Sequence, residues 1–153
     1  MTGMLIFLGL ILALLFAIWN KKKKAANKVK ILDSVPGFTA DDSAMSYDEK
    51  ELVAIDRKRN LYCFIDEKNE YELVPFKNVT NFDKVSTHCE VYIKFLAINS
   101  KRAVYKITFF LHGKSVTNIK DAYQKAEHWY DLIRVAATED AINDQREKQE
   151  QQW

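Results

Sequence analysis

The chain has 153 residues, 48% of them hydrophobic and 29% charged, which is enough for one folded core and short for two domains. Its 23 Lys and Arg nearly balance 21 Asp and Glu, and four of the lysines are consecutive, Lys21 to Lys24. Beyond them stand 19 Lys and Arg against 21 acids, a net −2 that excludes the cation-dense surface of a nucleic-acid binder.

In chain order, the first element is the uncharged run MLIFLGLILALLFAIW, Met4 to Trp19, closed by Asn20 and the lysine block. As a helix it rises about 24 Å, and Met1, Thr2 and Gly3 extend it toward the ~30 Å hydrocarbon core of a bilayer. A cleavable signal would carry its positive charges before the apolar run, whereas here they follow it. A buried core helix would show a polar face, and Leu5 to Ile18 is apolar all round. No cysteine lies in the run or at its end to carry a lipid. Residues 1–20 are therefore expected to be a single transmembrane anchor.

Lys21, Lys22, Lys23 and Lys24 then set the topology, because basic residues beside a span stay on the cytoplasmic side. This places the N-terminus outside and the rest of the chain in the cytoplasm, at a cell inner membrane. Trp19 stands where an interfacial aromatic anchor belongs. The lysines also attract anionic headgroups, at roughly 1 kcal/mol per charge.

Residues 21–46 read as a basic juxtamembrane segment and linker. AANKVKILDSV can continue the helix, and Pro36-Gly37 should end it. FTADDSAMSYDE is polar and acidic, with Asp41 and Asp42 expected at a turn or a helix start.

From Glu51 the texture becomes β. ELVAID, LYCFID and YELVPF are separated by the turns Arg57-Lys58-Arg59-Asn60 and Glu67-Lys68-Asn69, a spacing that favours an antiparallel meander. Pro75 belongs at a strand end or edge. NVTNFDKVS reads as a weaker strand or bend. HCEVYIKFLA alternates, with Cys89, Val91, Ile93, Phe95 and Ala97 on one face. AVYKITFFL answers it across the turn Asn99 to Arg102, and Gly113 closes the sheet region.

The period then changes to about 3.6. After Thr117 or Asn118 as cap, Ile119, Ala122, Tyr123, Ala126, Trp129, Tyr130, Ile133 and Ala137 form the apolar side of an amphipathic helix wide enough to pack on a sheet. Residues 138–153 form a polar tail, expected to continue as solvated helix and fray.

No constellation for catalysis, no cofactor site and no metal site is visible. HExxH and Cys/His spacings are missing, and neither Ser, Cys nor His occurs in an arrangement that suggests nucleophilic or acid–base work. Cys63 and Cys89 are expected to be reduced, core-filling thiols.

Short antiparallel strands followed by one C-terminal helix give an α+β order. AIDRKRNLYCFID, YELVPFKNVTNF and KDAYQKAEHWYDLI together resemble small bacterial single-span membrane proteins with a PH-like domain of unknown function. The resemblance covers residues 47–137 and implies a bent sheet or small barrel with the helix at one open end. It further implies an anionic-lipid contact through Arg57, Lys58, Arg59, Lys101 and Arg102, although Asp56 and Asp66 flank the same hairpin. The expectation is thus a membrane-anchored, non-enzymatic module that binds a protein partner of unspecified identity, with anionic-lipid sensing as the alternative.

Overall fold

In a computed structural model that describes residues 2–151, the chain is α+β: a long N-terminal helix, two antiparallel sheets and a C-terminal helix. Helix α1 runs from Thr2 to Ser34 without interruption. Strands β1 (Asp42–Met45), β2 (Leu52–Asp56), β3 (Leu61–Ile65) and β4 (Tyr71–Pro75) form a four-stranded meander. A single 3-10 turn at Phe76–Asn78 leads into β5 (Val79–Ser86), β6 (Glu90–Ala97) and β7 (Val104–Leu111), the second sheet. Helix α2 spans Ile119–Glu150.

Local chemistry accounts for the breaks. Asn60, Asn69 and Asn99 each adopt positive φ in a hairpin turn, a conformation asparagine tolerates better than most residues. Gly37, at φ +69°, follows Pro36 just past the end of α1 and lets the chain reverse, in line with the expected stop at Pro36-Gly37. The Asn118 side chain accepts the Lys120 N–H and caps α2. Pro75 ends an edge strand. Register shifts in both pairings of the three-stranded sheet, at Val79/Asn81 and Val91/Tyr92, mark bulges that bend it.

β7 crosses the ends of the four-stranded sheet. At its start Tyr105 stacks on Phe64 of β3 with centroids 4.1 Å apart, and its hydroxyl donates to Glu72 of β4. Further along, Thr108 accepts the Tyr47 N–H just beyond β1. Between the sheets lies the main core: Val53, Ile55, Tyr62, Phe64, Val91, Ile93 and Phe95, completed by Ala122, Ala126, Trp129, Ile133 and Ala136 of α2. A second, smaller core covers the other face of the four-stranded sheet, where Leu32, Val35 and Phe38 pack on Leu52, Ala54, Cys63 and Ile65.

Three sequence expectations change. Residues 42–45, assigned to the linker, form strand β1, so Asp42 opens a strand and not a turn or helix. Register with β2, and not the pattern of its four residues, is what orders it. Cys89 is exposed in the turn before β6, because that strand begins only at Glu90; Cys63 alone is a core thiol. On α2 the buried position is Ala136, while Ala137 faces outward. The tail remains helical to Glu150, exposed on every side from Ala141.

Candidate functional site

The first part of the site is α1 itself. From Gly3 to Ser34 it is long and apolar enough to cross a membrane, with a mean hydropathy of 2.3 over its most apolar stretch, none of which is buried. Trp19 is exposed below the lysine block, and the Lys23 ammonium lies over its ring, 5.4 Å from the centroid. Lys21, Lys22, Lys23 and Lys24, being consecutive on a helix, point in four directions about 100° apart, and all four are exposed.

Beyond the lysines α1 acquires a buried stripe. Ala25, Lys28, Ile31 and Leu32, with Val35 just past the helix, recur at helical spacing and face the four-stranded sheet. Lys28 is only 3% exposed. Its Nζ donates to the Asp66 carbonyl at 2.7 Å and to Asn69 Oδ1 at 3.0 Å. Burial holds the ammonium below the ordinary lysine value, with the charge of Asp66 opposing.

These contacts orient the folded body. In a meander successive turns alternate ends, so the turns at 46–51 and 66–70 share one end of the four-stranded sheet and the turn at 57–60 lies at the other. The Lys50–Glu67 ion pair, 3.0 Å, ties the first two together. Lys28 meets the 66–70 turn, whereas Thr39, past the helix, donates to Asp56 at the opposite end. The apolar half of α1 therefore leaves from the 46–51 and 66–70 end.

The basic turns separate accordingly. Arg102 reaches Asp66 Oδ2 at 2.8 Å and so sits toward the end from which α1 departs, with Lys101 donating its backbone N–H to Glu72. Arg57, Lys58 and Arg59 occupy the far end, about 13 Å along β3 at ~3.3 Å per residue. The structure does not bring the two groups together.

An aspartate stands beside each basic group. Asp56, 1% exposed, accepts the Thr39 N–H and an Arg59 guanidinium N–H on Oδ2, both at 2.9 Å, and the Arg59 backbone N–H on Oδ1 at 3.1 Å. Asp66 accepts the Lys68 and Glu70 N–H groups on Oδ1, each at 2.9 Å, and Arg102 on Oδ2. Arg57 stands 3.9 Å from Asp41. All three arginines are thus held by neighbouring carboxylates, and among the described residues only Lys58 and Lys101 of the five have a side chain with no hydrogen bond or ion pair.

Two concavities lie beside the four-stranded sheet. A cleft lined by Glu51, Phe64, Asp66, Glu72, Arg102 and Tyr105 lies between the sheets near the Lys28 end, but it holds only about 90 Å³, against the several hundred of a ligand site. Burial raises the Glu51 carboxyl above the ordinary glutamate value there, with Arg102 opposing. A wider groove separates the β1 edge from α2, bridged by His128 Nε2 and Asp42 Oδ2 at 2.6 Å. Among the described residues no three His, Cys, Asp or Glu side chains gather where they could hold a metal.

The sequence reading missed Lys28 and the second core. A signal was present: LVAID and LYCFI are apolar on both faces, where a half-solvated antiparallel sheet would alternate. No protein-family model, curated protein or solved structure matches this chain.

Proposed function

We propose that the chain is a single-pass, membrane-anchored module without enzymatic activity, whose folded part lies in the cytoplasm at the inner membrane and binds a protein partner. One observation carries this reading: α1 is a single uninterrupted helix whose first half is wholly exposed and apolar and whose last turns pack on the outer face of the four-stranded sheet. With those turns docked, such a tether sets the height and orientation of the body, and it raises the body's effective concentration for anything else confined to the same leaflet. The 4+3 antiparallel sheets with a C-terminal helix seated on them support a PH-like reading of the fold.

The lipid-sensing alternative draws less support. Arg59 and Arg102 are spent on Asp56 and Asp66, and Arg57, Lys58 and Arg59 lie at the end away from the apolar half of α1. The lysine block is the better placed contact for anionic headgroups.

Protease digestion tests the topology. With intact cells the C-terminal domain should be resistant, and with inside-out vesicles it should be cleaved; digestion of the domain on intact cells would reverse the orientation and remove the cytoplasmic reading. Liposome flotation of the full chain and of its Arg57→Ser, Lys58→Ser, Arg59→Ser variant should show no difference in preference for anionic lipid.

A further inference from the structure

The stretch of α1 beyond the lysines has an unusual position. The main core is closed by the two sheets and α2 and takes no side chain from α1. Leu32, Val35 and Phe38 belong to a separate cluster on the outer face of the four-stranded sheet. The same interface carries a buried ammonium, Lys28, satisfied by two acceptors in one turn. It ends at Pro36 and Gly37, where the positive φ of Gly37 and open space around it make a natural pivot.

We propose that residues 25–35 are a hinged strap, which when docked covers the outer face of the four-stranded sheet and when swung out on Pro36-Gly37 uncovers that face while the main core stays folded. The seam between the two clusters is where such an opening costs least, because it breaks the smaller cluster only. Opening also returns the Lys28 ammonium to water, which offsets part of the cost of exposing Leu32 and Val35. Since the strap and the apolar half are one helix, opening changes how the folded body sits relative to the anchor. The proposal deepens the tethered-module reading, and rests on it only for that last consequence.

Cys63 reports the opening directly. It lies under the strap, fully buried, and burial pushes its thiol up to about 12, so it is inert while the strap is docked. The full chain carrying Cys89→Ser, in dodecylmaltoside micelles, leaves Cys63 as the one thiol. Its reaction with a maleimide is followed alongside amide exchange of Ile93 and Phe95 in β6, which report the main core. Leu32→Ala should speed Cys63 labelling about tenfold or more while the β6 amides keep their protection. Val35→Ala, a smaller truncation, should do the same to a lesser degree.

A Cys63 rate that rises only in step with β6 exchange, or that neither variant changes, overturns the strap. Because the measurement is made in micelles, its failure is separate from that of the membrane topology, which the protease digestion decides.

Discussion

Two aspartates do for the folded body what hydrophobic burial cannot: they fix its turns. Asp56 is buried with three donors aimed at it, from Thr39 and Arg59. Burial alone would raise its pKa, but the N–H groups of Thr39 and Arg59 and the guanidinium outweigh that and hold it below the ordinary aspartate value of 3.8. A depressed folded-state pKa means the stabilisation is fully present above the unfolded value and is lost as pH falls through the folded one. Asp56→Ala should cost about 3 kcal/mol at pH 7, since it leaves Arg59 and the Thr39 N–H without their acceptor. The same variant should show a shallower loss of stability below pH 4, measured by urea denaturation in micelles. Glu51 has the opposite sign. Its raised pKa places its contribution below the unfolded value and makes the ionised form a cost at neutral pH, so Glu51→Gln should raise the melting temperature at pH 7 and leave it unchanged at pH 4. An unchanged melting temperature at both values would show that Glu51 is solvated.

At the scale of elements, what was legible followed from period. The β6–β7 hairpin and the helix from Ile119 are visible because apolar residues recur every two and every 3.6 positions, and the structure buries Val91, Ile93, Phe95, Tyr105, Ile107 and Phe109 accordingly. Elements ordered by a partner were not legible. DSAM has two polar residues in four and becomes a strand only through pairing with β2. Leu32, Val35 and Phe38 straddle the break at Pro36-Gly37 and follow no single period, and their shared face exists only once β2 and β3 present Ala54 and Cys63 to it. The basic turns were legible as turns; that their arginines serve Asp56 and Asp66 required the fold. α2 shows how much one residue of such a face can carry. Trp129 is 2% exposed at the centre of the helix side that closes the main core. Trp129→Ala should cost about 4 kcal/mol, read as a lowered urea midpoint, whereas truncating exposed Val135 on the opposite side should cost under about 0.5 kcal/mol.

For the molecule as a whole, the packing of α1 on the folded body converts a linear sequence into an order of levels along the helix, which the proposed anchoring turns into heights above a bilayer. Lys28 lies about 14 Å along the helix from Trp19, the residue that marks the interface in the proposed anchoring. Its acceptors Asp66 and Asn69 put the 66–70 turn at that level, and β3 then carries the chain about 13 Å further to the 57–60 turn. In the proposed anchoring the lysine block, at the base of this arrangement, faces the headgroups, and the Arg57-Lys58-Arg59 turn stands at the far end of the sheet. This order can be measured. With Cys89→Ser in place and Cys63 buried, a single thiol is introduced at Lys68→Cys in the near turn or at Lys58→Cys in the far one. Labelled with a donor dye in nanodiscs whose lipids carry a headgroup acceptor, the Lys68 site should transfer energy more efficiently than the Lys58 site. Depth-dependent paramagnetic quenching from headgroup-chelated nickel should rank them the same way. Equal efficiencies would mean that the body lies on its side against the bilayer, and a reversed order would bring Arg57, Lys58 and Arg59 down to the lipid, restoring the headgroup contact that their fold position argues against.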